Sequence, residues 1–133
     1  RLGYAMCNKE MHAILQKCTS VFTGSRVALA GAMAALDDEE YIKKTKAAML
    51  EGRKYLTDEF TKMGFYVYPS ETNFLYVNTG YNAAEFAEEC KKYGLIIRGN
   101  FDYSRITVGR MDQNEKMVGI IKKIIESGEL KKI

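Results

Sequence analysis

The chain has 133 residues, 47% hydrophobic and 28% charged, which suits one domain with its own core and excludes wholesale disorder. Its 20 basic and 17 acidic residues leave a net charge of +3, too small and too dispersed to point to nucleic acid or an anionic membrane as partner. The longest nearly uninterrupted apolar run, Val27 to Leu36, falls well short of the ~20 residues a spanning helix needs, so neither a transmembrane segment nor a signal peptide is expected.

Asn8 is placed to cap a short helix carrying Met11, Ile14, Leu15 and Cys18 on one face. Thr19 to Gly24 reads as a loop, and Ser25 to Leu36 as an alanine-rich helix whose small residues suit close packing against other backbones. Asp37 or Asp38 then caps a longer helix with acids in its first turn. Its stripe is Ile42, Met49, Leu56 and Met63, with Thr45 and Phe60 beside it, and Gly64 ends it. A helix of this length with a polar outer face often links two parts of a larger molecule.

Beyond Gly64 the hydrophobic period switches to two. Phe65–Tyr68 is a predicted strand stopped by Pro69, and Asn73–Val77 a second, bounded by Gly80. Asn82 with Glu85 makes a capping-box-like start to a helix that buries Phe86, Ala87 and Cys90 and stops at Gly94. Leu95–Arg98 and Arg105–Gly109 are the third and fourth predicted strands, joined by a turn. Asp112 with Glu115 is expected to cap the last helix, whose stripe is Val118, Ile121 and Ile125, widened by Ile124 and ended by Gly128. The fold class is therefore α+β: a helical arm, then a small, mainly antiparallel β-β-α-β-β-α sheet with helices on one face.

Three cysteines, Cys7, Cys18 and Cys90, are an odd count without CxxC spacing, against a disulfide framework or zinc site. They read as reduced, semi-buried thiols of a cytoplasmic protein. The only histidine, His12, excludes a His-cluster metal site and is expected on a helix surface. Tyr66, Tyr68, Tyr76 and Tyr103 read as sheet residues, Tyr4 as a packing residue, and Lys122-Lys123 and Lys131-Lys132 as solvated.

Arg98 and Arg105 carry the clearest chemistry. Both sit on predicted strands of otherwise apolar residues. Alternation sets Arg105, Thr107 and Gly109 on one face and Ile106 and Val108 on the other. If Ile106 and Val108 meet the helices, Arg105 points away from the core, and the short connection allows Arg98 onto the same face. Two guanidinium groups there suit a carboxylate or phosphate. Arginines stacked over the sheet or paired with Asp or Glu are the structural alternative.

Arg105-Ile-Thr-Val-Gly109 followed by Asp112-Gln-Asn-Glu115 resembles the closing motif of class I/II aminotransferases, and most resembles the histidinol-phosphate aminotransferase branch. The opening Arg1-Leu-Gly-Tyr4 resembles the segment just after that family's cofactor lysine. Pro69-Ser-Glu-Thr-Asn73-Phe and Gly94-Leu-Ile-Ile-Arg98 resemble two further landmarks at the expected spacing. The resemblance covers nearly the whole chain.

It implies the C-terminal part of a fold-type I enzyme dependent on pyridoxal 5'-phosphate, with residues 1–37 ending the large cofactor domain and 38–133 forming the small domain with its linking helix. The implied roles are Arg1 at the cofactor phosphate, Arg105 at the substrate's acidic group, Arg98 at a substrate phosphate, and Asn73 near the mouth of the site. The implied partners are an amino-acid-like or phosphorylated amino substrate, a 2-oxo acid and, for the full-length protein, a second copy in a homodimer. The family's cofactor lysine, the Ser/Thr before it and the aspartate at the pyridine nitrogen lie upstream of the position of Arg1. The chain, which opens without methionine and reads as a piece of something longer, is therefore expected to be inactive alone. The Gly99–Ser104 turn is shorter than in many members, which bears on the substrate. A threonine-phosphate decarboxylase-like enzyme would use the same frame. A non-catalytic α+β ligand-binding or dimerisation module would explain the arginines as clamps, but not Arg1-Leu-Gly-Tyr4 or the three leading helices.

Overall fold

Asn8, Ser25 and Asp38 each end a stretch of non-helical backbone with a side-chain oxygen that accepts from the amide three residues on: Met11 at 2.9 Å, Ala28 at 3.1 Å and Tyr41 at 3.0 Å. Satisfying these otherwise orphaned donors starts three helices, α1 (Lys9–Cys18), α2 (Arg26–Asp37) and α3 (Glu39–Lys62). They belong to a computed structural model that describes residues 2–20 and 24–133, so Arg1 and part of the expected Thr19–Gly24 loop lie outside the described residues. The chain divides into two compact units, Arg1–Lys43 and Lys44–Ile133, at a point inside α3.

In the first unit α1 and α2 bury no residue. The stripe read from the sequence is present, but Met11, Ile14 and Leu15 are exposed, as are Leu29 and Met33 of α2. Tyr4, expected to pack, is 86% exposed.

In the second unit the later turns of α3 bury Gly52, Leu56 and Phe60, and Gly64, at φ +82°, ends the helix where a side chain would be strained. Three strands follow, β1 (Tyr66–Val67), β2 (Phe74–Asn78) and β3 (Ser104–Thr107), with α4 (Ala83–Lys92) between β2 and β3 and α5 (Met111–Ser127) after them. The sheet is antiparallel in the order β1-β2-β3. Leu75, Val77 and Ile106 face the helices and join Leu56, Phe60, Phe86, Ile121 and Ile124 in one core. Fully burying side chains of this size contributes about 1.5–3 kcal/mol each. The opposite sheet face is left to Phe74, Tyr76, Arg105 and Thr107.

The expected third strand is corrected. Leu95–Arg98 forms no strand; only Arg98 pairs, in an isolated bridge to Arg105. The Leu95 amide is taken by the Cys90 carbonyl at 3.0 Å, closing the end of α4 instead of extending a ladder. The expected alternation survives without the ladder, with Leu95 and Ile97 half-buried and Ile96 and Arg98 exposed. The last helix starts at Met111 rather than behind an Asp112 cap. Gln113 Oε1 accepts from the Arg110 amide at 3.0 Å, while Asp112 is held by the Arg110 guanidinium at 2.9 and 3.0 Å. The thiols are not semi-buried: Cys7 and Cys18 are exposed, and Cys90 is fully buried, its pKa pushed up to about 12 by desolvation. His12 is exposed on α1, as expected. Lys122, Lys123, Lys131 and Lys132 are exposed, as expected, and the Ile133 amide donates to the Gly80 carbonyl.

Glu59 of α3 accepts from Lys62 at 2.6 Å and from Lys122 of α5 at 2.8 Å. Hydrogen bonding to Lys122, then to Lys62, lowers its pKa from 4.5 to about 2. A carboxylate lowered by folding stabilises fully above 4.5 and loses that contribution as pH falls through about 2. Glu59→Gln is therefore expected to lower the urea midpoint at neutral pH while leaving it nearly unchanged below about 2. Equal losses at both pH values would exclude a charge effect.

Candidate functional site

The site is built on the sheet face turned away from the helices. Arg105 is the second residue of β3, between buried Ser104 and buried Ile106, so the two-residue period sends its side chain outward. Its guanidinium carbon lies 4.1 Å from the centroid of the Phe74 ring, over its face, a cation–π contact that restrains the fork. Its Nε is buried and has no hydrogen-bond partner. Leaving a buried donor unmade costs about 1–3 kcal/mol, so the group is poised for an acceptor.

Arg98 stands directly opposite. Its amide donates to the Arg105 carbonyl at 3.1 Å, and the Arg105 amide returns the bond at 2.9 Å. Such a reciprocal antiparallel pair puts both side chains on one face with Cα atoms about 5.5 Å apart. Among the described residues the arginine ion pairs are Arg53–Glu71 and Arg110–Asp112, and neither Arg98 nor Arg105 takes part in one. The residue after Arg98, Gly99, lies against the start of α4, where an added Cβ would come within 2.1 Å of the Ala83 carbonyl oxygen. That close approach locates the Arg98 end of the bridge.

Asn73 is exposed and sits one residue before Phe74, its carbonyl accepting from the Val108 amide at 2.9 Å. The backbone thus holds it at the β2 end nearest the β3–α5 turn. Arg1, the fourth residue singled out from the sequence, lies outside the described residues.

An aromatic tray was not foreseen as a group. Tyr68 lies 5.5 Å from Tyr76 and 5.6 Å from Tyr103, ring centre to ring centre, with Tyr66 and Phe101 at its edges. The Tyr103 amide donates to the Tyr76 hydroxyl at 3.2 Å. Tyr76 is the cross-strand partner of Arg105, so the tray is continuous with the arginine pair. Hydrogen bonding with the Tyr103 side chain, then burial, raises the Tyr68 pKa. The signal was in the sequence: Tyr66, Tyr68, Phe74, Tyr76, Tyr103 and Arg105 fall on one sheet face once the strands are paired antiparallel.

A strand that presents an unpaired guanidinium over an aromatic ring, beside a second arginine and a tyrosine surface, can bind and orient an anion. Among the described residues no group of His, Cys, Asp and Glu could hold a metal ion, and no helix is long and apolar enough to cross a membrane.

Residues 1–121 match the model of the family described as aminotransferase class I and II. The chain belongs to that family. It is 36% identical over 137 residues to a histidinol-phosphate aminotransferase of Methanopyrus kandleri, covering 95% of this chain and 35% of that protein. The corresponding protein of Symbiobacterium thermophilum is 35% identical over 133 residues, covering 96% and 37%. Among solved structures, histidinol-phosphate aminotransferase from Sinorhizobium meliloti in complex with pyridoxal-5'-phosphate shares the fold at a TM-score of 0.74 and 23% identity, over 89% of this chain and 34% of that one. L-threonine-O-3-phosphate decarboxylase from Porphyromonas gingivalis does so at 0.65 and 22%, over 90% and 40%. The chain thus spans little more than a third of the length of the curated relatives it matches. The α+β class expected from the sequence is the one these family members share.

Proposed function

We propose that this chain supplies the substrate-anion-binding part of a pyridoxal-phosphate-dependent aminotransferase, which moves an amino group between an acidic or phosphorylated amino substrate and a 2-oxo acid. The observation that carries the reading is Arg105, held over the Phe74 ring with a buried Nε–H that lacks an acceptor. A substrate carboxylate or phosphate completes that donor, and the same bond orients the rest of the substrate. Arg98 adds a second guanidinium on the same face, and Asn73 borders the entrance.

When bound, the cofactor acts as the electron sink that makes removal of the α-proton feasible. The described residues fit the acid of a substrate. Toward the cofactor's own phosphate the resemblance assigns Arg1, which lies outside them. In this reading residues 1–37 end the large cofactor domain and 38–133 form the small domain of a cytoplasmic homodimer. The exposed apolar side chains of α1 and α2 suit burial against the remainder of such a protein. The resemblance puts the cofactor lysine upstream of Arg1, so the chain alone is inactive. A stoichiometric, borohydride-trapped pyridoxal phosphate adduct at one lysine of the isolated chain would contradict that.

Amino-group transfer is favoured over decarboxylation because the relatives above 30% identity carry aminotransferase names, whereas likeness to the decarboxylase concerns the fold. The non-catalytic module is disfavoured because the family match includes the opening segment and the three leading helices.

Arg98 provides the test of substrate class. A dianionic phosphate accepts from both guanidinium groups, whereas a carboxylate is satisfied by one. In the enzyme containing this chain, Arg98→Ala should cost a phosphorylated substrate about 2 kcal/mol more than its non-phosphorylated analogue. The ratio of the two specificity constants, in wild type and variant, measures this. An unchanged ratio would make Arg98 structural and the phosphate-substrate branch the wrong assignment.

A further inference from the structure

Among the described residues Asn114 is the least accessible polar one, fully buried in the first turn of α5. Its side-chain amide clasps a single backbone residue: Oδ1 accepts from the Gly109 amide at 2.8 Å, and Nδ2 donates to the Gly109 carbonyl at 3.0 Å. A neighbouring strand would satisfy Gly109 in the same two-point way. The fold makes room for the clasp on both sides. A Cβ on Gly52 of α3 would lie 2.8 Å from Asn114 Nδ2 and 2.8 Å from Val108 Cγ1, and a Cβ on Gly109 would lie 2.8 Å from Gln113 Oε1.

Gly109 is four residues after Arg105, on the same parity of the strand. The last ladder bond of β3 joins the Val108 amide to the Asn73 carbonyl at 2.9 Å, and on its other side β3 has only the Arg98 bridge. β2 pairs with β3 along the whole length of β3, but beyond Val108 the ladder gives Gly109 no partner, so the end of the segment that carries Arg105 is held by the side chain of Asn114. The clasp ties the end of β3 to α5, which Val118, Ile121 and Ile124 anchor in the core.

We propose that Asn114 is a positioning residue for the anion site: by gripping Gly109 it anchors the far end of the Arg105 segment to α5 and so holds the Arg105 side chain still. The inference rests on the reading of Arg105 as the anion receptor.

The test is made on the 133-residue chain by following the Arg105 Nε–H in ¹H–¹⁵N spectra, with inorganic phosphate as ligand. In Asn114→Ala, exchange of the Arg105 Nε–H with water should quicken at least tenfold and phosphate affinity at Arg105 should fall at least tenfold, while the Phe86 and Ile121 amides stay protected. A purely structural role would loosen all of them together. A folded Asn114→Ala variant with wild-type exchange at Arg105 overturns the proposal. Should that variant not fold, Asn114→Asp keeps the acceptor for the Gly109 amide, loses the donor to its carbonyl, and must show the same selective change. The exchange comparison needs no ligand. Absence of any phosphate response at wild-type Arg105 therefore counts against the anion-receptor reading alone.

Discussion

On the proposed function, Arg105→Ala in the full-length protein is expected to lower kcat/KM for an acidic substrate by a factor corresponding to about 2–5 kcal/mol, from tens-fold to more than a thousandfold, with cofactor content unchanged. The size follows from the setting. Arg105 is not a surface arginine that water would replace at little cost. It lies over the Phe74 ring, its Nε is shielded, and among the described residues it is in no ion pair that would survive in its stead. Removing it leaves a desolvated anion without its fork. Arg105→Lys should recover little, because an ammonium offers neither the planar fork nor the Nε–H. Steady-state kinetics with the cofactor's absorbance as a loading control decide the matter. Wild-type substrate dependence in Arg105→Ala would remove Arg105 from the site and take the proposed function with it.

What could be read from the sequence depended on how local each signal was. Asn8, Ser25 and Asp38 act through bonds to amides three residues away, so three helix starts were legible from residue type and spacing. The outward direction of Arg105 was legible too, because strand parity and the apolar neighbours Ile106 and Val108 fix it together. The third strand was read where none forms, and the fourth was read too far, for one physical reason: a backbone group that looks free in the sequence has a competing partner in space. The Leu95 amide closes α4, and both polar groups of Gly109 are taken by Asn114. Neither competitor announces itself by period. The start of the last helix was misplaced similarly, since Asp112 has the residue type of a cap but is drawn to the Arg110 guanidinium. The aromatic tray needs strand pairing as well as strand identity, for it joins residues from position 66 to position 103.

Gly99→Ala tests how the Arg98 side of the site is held. The new Cβ would lie 2.1 Å from the Ala83 carbonyl oxygen, 2.7 Å from its carbon and 2.8 Å from Ala87 Cβ, so backbone must move. The start of α4 is the stiffer partner. Asn82 Oδ1 accepts from the Ala84 and Glu85 amides at 3.0 and 3.2 Å, and Phe86 is fully buried one turn on. The segment after Arg98 is exposed at Asn100 and Phe101 and belongs to no strand, so it yields first and pulls Arg98 out of its reciprocal bonds with Arg105. Overpacking of this kind costs about 3 kcal/mol, which lowers the melting temperature of a unit this size by roughly 12–24 °C. Gly119→Ala is the matched control: it lies inside α5 with nothing within 4 Å of an added Cβ, and should stabilise by about 0.5–1 kcal/mol through helix propensity. The same chemical change thus has opposite signs at two glycines, and thermal melts of the two variants read both. If Gly99→Ala melts with wild type, the Arg98 segment is not seated on α4. The cross-strand pairing of the two arginines would then have to be held by the substrate rather than by the fold.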